Sequence, residues 1–328
     1  MENKEENFEP KNYNKFDKVY IDIDQKFKEQ NLWLNIIHKF DKNSSTKKEY
    51  KIKLISKLFN LLKMYYMLVL LKIGVLEKLI FSNLSTKWFN TFRDFWVGYL
   101  KNRPIDVFDF HFLYGNYRTK YQEITQTNEE DAKEFIEKWQ ASASVYRTFN
   151  SVWRYAKLAY LGFYPFFKYI RDNSSILEYG CGIAPITEGI IKYCSYKNLK
   201  FTIADIEQIN FFYARWRLAN KNYINFVTID PAIKDNLPPG QKYNAIVCIT
   251  VFDFLVNPFE IVKTFHQHLE KKGVLIFDYP KRDCIGLDTK KGQSERKEVL
   301  DFIEKNFKIL KGKINYNNST DLTVAEKI

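Results

Sequence analysis

The sequence predicts an α/β fold: a doubly wound, mostly parallel seven-stranded sheet in the C-terminal half, preceded by a mainly α-helical region. Two observations support this prediction. After residue 175, short apolar runs alternate with helical stretches, which is the pattern of βαβ units. Before that point, apolar residues recur at three- and four-residue spacing with lysines between them, as at Leu54, Leu58, Leu61 and Leu62.

Seven short apolar runs indicate the strands of the sheet. They are residues 176–179, 200–204, 224–229, 245–249, 274–278, 307–314 and 322–325. The first five alternate with helical stretches, which favours parallel pairing because a parallel connection needs a crossover. We therefore expect an N-terminal helical region over residues 1–150 and a sheet domain over residues 151–328. Residues 1–30 are polar and favour a disordered lead-in.

Composition indicates a soluble globular protein with a sizeable core. Of the 328 residues, 45% are hydrophobic and 27% are charged. The net charge of +12 raises the question of nucleic-acid binding. Residues 171–328 hold 23 Lys and Arg against 19 Asp and Glu, so most of the excess lies in residues 1–170, where it is dispersed. Dispersed charge favours a solvated surface over a groove that follows phosphates.

Targeting and redox signals point to the cytoplasm. The N-terminus is polar and has no apolar signal-peptide core. The longest apolar run, residues 64–71, is far shorter than the roughly 20 residues that a membrane span needs, so no transmembrane segment is expected. Cys181, Cys194, Cys248 and Cys284 show neither CxxC nor Cys/His ligand spacing, which favours reduced thiols and no metal site.

A glycine-containing turn follows the first predicted strand. Glu178 precedes Gly180, Cys181 and Gly182, and Pro185 suits the first turn of a helix. Glycines at such a turn let a bound ligand approach the backbone, although a plain tight turn would also explain them. A dinucleotide-binding loop would need a third glycine at position 185, which is proline here.

Two further predicted strands end in carboxylates. Asp205 ends the second strand, 23 residues after Gly182, where a carboxylate can accept hydrogen bonds from both hydroxyls of a ribose. A solvated strand-end aspartate is the alternative. Asp230 ends the third strand. A turn formed with Pro231 would explain an aspartate at this position as well as a ligand contact would.

Glu178-x-Gly180-x-Gly182 at the end of a first strand resembles motif I of the class I S-adenosylmethionine-dependent methyltransferases, which have a Rossmann-like fold. Ala184 stands where the family has its third glycine. The carboxylate of the second strand and the character of the fourth and fifth strands follow in the family's order. The resemblance covers roughly residues 170–328.

The fourth-strand region departs from the family in two places. Asn244 replaces a common aspartate, and Asp253-Phe254 replaces a common Glu-His pair. The second departure removes one potential acid or base, because the family's histidine is absent.

The resemblance implies S-adenosyl-L-methionine as the cofactor, and it places Asp230 beside the adenine amino group. The implied cofactor-binding residues are Glu178, Gly180, Cys181, Gly182, Asp205, Ile206, Asp230 and Thr250. Candidate bases or acceptor-binding groups are Asp253, Asp278, Tyr279 and His111. His111 lies in an aromatic stretch ahead of the sheet domain, and a packing role is the alternative to a catalytic one. His266 and His268 are expected at the surface.

The resemblance implies a methyltransferase. We expect the acceptor to be a small metabolite, a sugar or a lipid-linked molecule that is methylated on oxygen or nitrogen. This expectation rests on the absence of a nucleic-acid motif. The protein would mainly supply positioning and a base. One alternative is a nucleic-acid methyltransferase that uses the basic N-terminal half. The absence of an Asn/Asp-Pro-Pro-Tyr/Phe motif weighs against methylation of an exocyclic amine by such an enzyme. The other is a non-catalytic cofactor-binding protein. The sequence does not predict the oligomeric state.

Overall fold

The computed structural model describes four continuous segments and a number of single positions. The segments are residues 87–100, 145–155, 164–281 and 288–328. The single positions are 62, 65, 66, 69, 102, 104, 105, 109, 110, 113, 114, 137, 139 and 140. The expected lead-in over residues 1–30 and His111 lie outside the described residues. The chain divides into two compact units, residues 19–109 and a unit made of residues 1–18 and 110–328.

The smaller unit is helical where it forms a continuous described segment. Helix α1 (Lys87–Asp94) runs directly into a π-helical turn, Phe95–Tyr99. Phe92, Phe95 and Trp96 are buried, and the rings of Phe95 and Tyr99 stack with their centroids 5.3 Å apart. Aromatic packing therefore stabilises this segment. Leu54, Leu58 and Leu61, which predict the helical spacing of the N-terminal sequence, lie outside the described residues.

The larger unit contains a seven-stranded sheet, which confirms the predicted fold class. Its strands are β1 (Ser175–Tyr179), β2 (Lys200–Ile206), β3 (Ile224–Ile229), β4 (Tyr243–Cys248), β5 (Leu269–Tyr279), β6 (Phe307–Lys311) and β7 (Thr320–Lys327). Their order across the sheet is β3-β2-β1-β4-β5-β7-β6. The first five strands pair in parallel, and β7 pairs antiparallel with both β5 and β6.

Burial of the strands follows their place in the sheet. Four of the five residues of β1 and six of the seven of β2 are buried, as expected for strands covered on both faces. In β3, at the edge, only the two end residues are fully buried. The central strands are therefore buried along nearly their whole length, and the edge strand carries exposed polar side chains.

Helices cover both faces of the sheet. In chain order they are α2 (Val145–Tyr155), α3 (Tyr164–Phe167), α4 (Pro185–Tyr193), α5 (Ile209–Leu218), α6 (Pro258–His268), α7 (Lys290–Ser294) and α8 (Arg296–Asn306). One hydrophobic cluster joins α3, α4 and α5 to one face of the sheet, and a second joins α6 and α8 to the other. This is the doubly wound arrangement, since alternate residues of each strand contribute to opposite clusters.

The strand order reverses between β1 and β4, because the chain adds β2 and β3 on one side and β4 and β5 on the other. Loops at the carboxyl ends of these two strands diverge to opposite faces and leave a crevice, the usual ligand position in open α/β sheets. The predicted boundary between residues 150 and 151 falls within α2 and stays a prediction.

One sequence-based expectation is wrong. His268 is buried rather than at the surface; its ring nitrogens lie 2.7 Å from the Gln241 carbonyl oxygen and 3.0 Å from Asp235 Oδ2. It closes α6, and its ring lies against the segment between β3 and β4 that holds Asp235 and Gln241. His266 is half-buried, with its ring edge-on to those of Phe302 and Phe307.

Candidate functional site

A cavity of about 480 Å³ opens at the carboxyl ends of β1, β2 and β4 in the larger unit. Of the predicted site residues it is lined by Glu178, Gly180, Cys181, Gly182, Asp205, Ile206, Thr250 and Asp278. Its volume lies within the range of about 300–1,000 Å³ that is typical of small-molecule sites. The structure thus brings most of the predicted residues together at the switch point of the sheet.

The turn between β1 and α4 adopts an alternating backbone conformation. Gly180, Gly182 and Ala184 have positive φ angles of 66°, 53° and 50°. A Cβ at Gly180 would lie 2.4 Å from a methyl carbon of Val251, so this glycine is required by packing within the protein as well as by its φ. A Cβ at Gly182 would have no heavy atom within 4 Å, and Gly182 lines the cavity. The second glycine therefore keeps the cavity open.

Glu178 caps the helix that follows this turn. Its two carboxylate oxygens accept hydrogen bonds from the backbone N–H groups of Ile186 (3.3 Å) and Thr187 (2.8 Å). These are orphan donors of the first turn of α4, because Ala184, the residue at the N-cap position, has no side-chain acceptor. Burial raises the pKa of Glu178 to about 7, against the lowering effect of these bonds. Glu178 therefore fixes the end of β1 to the first turn of α4.

Asp205 joins the end of β2 to the same turn. Its Oδ2 accepts the Gly182 N–H at 2.6 Å, and its Oδ1 accepts the Ile206 N–H at 2.7 Å and Gln208 Nε2–H at 2.8 Å. The residue is only 5% exposed, and burial raises its pKa to about 6 despite the three hydrogen bonds. A carboxylate has about four acceptor positions, so one position remains and the Gln208 side chain is the donor most easily exchanged.

Asp278 and Thr250 connect the ends of β5 and β4 at the opposite side of the cavity. The Thr250 N–H donates to Asp278 Oδ1 at 2.5 Å, and Thr250 Oγ1 lies 3.3 Å from Asp278 Oδ2. Thr250 has a φ of 57°, a left-handed conformation that is rare for a β-branched residue. Strained backbone of this kind persists where surrounding contacts hold it and is concentrated at functional sites. Here Asp278 provides the contact.

Asp230, Asp253 and Tyr279 do not line the cavity. Asp230 is exposed, and its Oδ1 accepts the Ala232 N–H at 2.9 Å, which is the turn considered as its alternative role. Asp253 is fully buried. The Tyr279 hydroxyl donates to the Gly292 carbonyl oxygen, and burial raises its pKa. These placements lend no support to the predicted roles of the three residues, and those roles stay predictions.

The cavity also includes residues that sequence reasoning did not select. Arg147, Asn150 and Ser151 of α2 line it, together with Trp139 and Gln208. Gln208 could have been selected from the sequence, since it follows Asp205 by three residues and its side chain bonds to the same carboxylate. The others precede β1 by many residues, and only the tertiary fold brings them to the strand ends.

Cys181, Cys194 and Cys248 are buried and are not joined to one another by disulfides. Burial raises the pKa of Cys181 and of Cys248, so neither is a ready thiolate nucleophile at neutral pH. Within the described segments no group of three or more His, Cys, Asp and Glu residues could hold a metal ion. Likewise, no helix among the described residues is both long and apolar enough to cross a lipid bilayer.

The residues present fit an adenosyl ligand. Gly182 leaves open space against the backbone, Asp205 offers a hydrogen-bond acceptor, and Ile206 and Ile229 supply apolar walls beside it. A seven-stranded sheet in this order, with such a turn after β1 and a carboxylate at the end of β2, defines the class I methyltransferase fold. Members of that class generally bind S-adenosylmethionine.

Residues 152–325 match a family model described as a methyltransferase domain. The match covers more than half of the chain, so the protein belongs to this family, and family and fold together indicate a methyltransferase. A comparison with curated protein sequences gives no match.

Several solved structures are similar to part of this chain at low sequence identity. TehB from Haemophilus influenzae is 18% identical with a TM-score of 0.40, over 54% of this chain and 66% of its own; the chain thus spans slightly less than two thirds of TehB. The pyocyanin biosynthetic protein PhzM is 12% identical with a TM-score of 0.45, over 67% and 72%. A SAM-dependent methyltransferase from Aquifex aeolicus is 14% identical with a TM-score of 0.38, over 50% and 88%.

Proposed function

We propose that the protein transfers a methyl group from S-adenosylmethionine to an oxygen or nitrogen atom of a small metabolite, a sugar or a lipid-linked molecule. The observation that supports this most directly is the pairing of the Gly182 N–H with Asp205 in a cavity at the switch point of the sheet. When bound, S-adenosylmethionine supplies a methyl group on a positively charged sulfur, so the chemical activation comes with the cofactor.

The chain's own residues would bind and orient the cofactor. Asp205 accepts hydrogen bonds from the ribose hydroxyls, one at its remaining acceptor position and one in place of Gln208. Ile206 and Ile229 line the cavity beside it and would contact the adenine ring. Gly182 lets the backbone of the turn approach the methionyl part. Each of these assignments is part of the proposal.

Asp278 is the best-placed candidate for work on the acceptor. It lines the cavity, while Asp253 and Tyr279 do not. Its carboxylate is held by Thr250 and would orient an acceptor hydroxyl or amine and take up its proton. Trp139 and Arg147 also line the cavity, which supports the proposal that residues 1–150 help to form the acceptor side.

Calorimetry on the full-length protein tests the cofactor assignment. We expect binding of S-adenosylmethionine and S-adenosylhomocysteine and no binding of NAD. A response to NAD without a response to either sulfur ligand would contradict the proposal.

A transfer assay with methyl-labelled cofactor then tests the acceptor. Cell extract separated into small-molecule, lipid, protein and RNA fractions is incubated with the wild-type protein or with Asp205→Asn as the background control. Label in the small-molecule or lipid fraction supports the proposal. Label in RNA favours a nucleic-acid methyltransferase, and cofactor binding without label in any fraction favours a non-catalytic binding protein.

A further inference from the structure

The turn between β1 and α4 contains one residue whose backbone conformation is costly for its side chain. Ala184 has φ and ψ angles of 50° and 54°, in the left-handed region, where a Cβ lies too close to a backbone carbonyl oxygen. Gly180 and Gly182 also have positive φ angles, but they have no Cβ and adopt them without this cost. Such a conformation persists where surrounding contacts hold it.

Arg217, in the last turn of α5, holds the peptide unit that precedes Ala184. Its Nη2–H donates to the Ile183 carbonyl oxygen at 2.5 Å. The same guanidinium donates through Nη1 to the carboxylate of Glu188 in α4. The Arg217 side chain is only 10% exposed, so both bonds are largely shielded from water. Because the Ile183 carbonyl belongs to the peptide unit directly before the Ala184 Cα, the contact restrains the φ angle of Ala184.

The turn is held at two consecutive residues by groups of opposite charge. Asp205, which lines the cavity, accepts the Gly182 N–H at 2.6 Å. Arg217 donates to the next residue, Ile183, and does not itself line the cavity. Ile183 does line it, so a shift of this peptide unit would change the cavity wall. Arg217 therefore acts on the site from outside, through the backbone of the turn.

Resting on the proposed function, we propose that Arg217 is a positioning residue for cofactor binding, which holds the turn in the left-handed conformation that Ala184 disfavours. Ala184 stands where the family has its third glycine, and the contact from Arg217 compensates for the absence of that glycine. Without the contact, the turn has its binding conformation for only part of the time. The apparent affinity for the cofactor then falls by the same fraction.

The test is a double-mutant cycle between Arg217→Met and Ala184→Gly in the full-length protein. S-adenosylhomocysteine is titrated by calorimetry into the wild type, both single variants and the double variant, and melting curves establish that each is folded. Glu188→Gln is one control, because it removes the charge that pairs with Arg217 and leaves the bond to Ile183. Arg171→Gln is the other, because Arg171 is largely exposed and does not line the cavity.

Arg217→Met should weaken S-adenosylhomocysteine by about tenfold, which corresponds to a turn that has its binding conformation about a tenth of the time. In the Ala184→Gly background the same substitution should cost less than about threefold, because glycine adopts the left-handed conformation without a steric penalty. Ala184→Gly alone and the two controls should each change the affinity by less than about twofold. A general loss of stability would not be rescued by glycine, so the rescue identifies a positioning role.

An equal loss in both backgrounds would overturn the proposal, because Arg217 would then act independently of the strain at Ala184. Unchanged affinity in a folded Arg217→Met protein would also overturn it and leave Arg217 as a contact that only joins α4 to α5. If Arg217→Met does not fold, Arg217→Lys takes its place in the cycle and the same two outcomes decide. If the wild type bound no S-adenosylhomocysteine, the proposed function itself would fail.

Discussion

The carboxyl ends of β2 and β3 lie side by side in the sheet, and each has an aspartate. Asp205 is the second-last residue of β2, and Asp230 directly follows β3. The two carboxylates nevertheless have different surroundings. Asp205 is buried, bonds to the Gly182 N–H across the turn after β1, and lines the cavity. Asp230 is exposed, and its Oδ1 bonds to Ala232 in its own loop.

The position of each strand explains the difference. β2 is paired on both sides, with β1 and β3, so its end faces the turn that follows β1. β3 is an edge strand, and Asp230, the residue that follows it, is exposed. A strand-end carboxylate therefore becomes a ligand-binding group where a neighbouring strand supplies the other half of the site.

The largest expected effect comes from the matched pair Asp205→Asn and Asp230→Asn. Asp205→Asn should weaken S-adenosylhomocysteine by about tenfold to a hundredfold, because it replaces charge-assisted hydrogen bonds by neutral ones. Asp230→Asn should change the affinity by less than about twofold, since it alters an exposed loop. Calorimetric titration with melting curves measures both. Similar losses in the two variants would remove the distinction between the strand ends.

A second matched pair tests the turn itself. Gly182 and Gly240 have φ angles of 53° and 72°, and a Cβ at either would have no heavy atom within 4 Å. Alanine at each position should cost about 1 kcal/mol of stability through the left-handed backbone. Only Gly182→Ala should also weaken the cofactor, by about tenfold, because its methyl group would enter the cavity. An affinity loss in Gly240→Ala, or none in Gly182→Ala, would contradict this assignment.

The pKa of Asp205, raised by burial to about 6, predicts a pH dependence of cofactor binding. Below that pH the carboxyl becomes protonated and loses acceptor strength toward the ribose. The dissociation constant for S-adenosylhomocysteine should rise by up to about tenfold between pH 7 and pH 5. Asp205→Asn should abolish most of this change. A pH profile that is equally steep in the variant would assign the proton to another group.

The smallest expected effect concerns stability. The pKa of Glu178 is 4.5 in its unperturbed state and about 7 in the fold. A carboxyl with a raised pKa binds more protons when folded, so stability falls as pH rises from 4.5 through 7. Between pH 6 and pH 8 the free energy of unfolding should fall by about 1 kcal/mol from this group. Glu178→Gln should flatten the dependence in thermal melts; an unchanged slope would place the titrating group elsewhere.

Much of the fold was accessible from local patterns in the sequence. Alternation of apolar runs with helical stretches predicted the seven strands, and the Glu178–Pro185 segment predicted the turn and the helix after it. The reason is that strand periodicity, glycine at positive φ and proline at a helix start act over a few neighbouring residues. Asp205 could be found for the same reason, at a set distance beyond the turn.

The composition of the site depended on contacts between residues distant in the chain. Asp278 lines the cavity while its neighbour Tyr279 packs on Phe252, because successive side chains of a strand point to opposite faces. Trp139 and Arg147 precede β1 by many residues and reach the cavity only through tertiary packing. Local patterns fix which residues stand at strand ends, but the pairing of strands and the docking of helices decide which of them meet, since those contacts depend on the whole core.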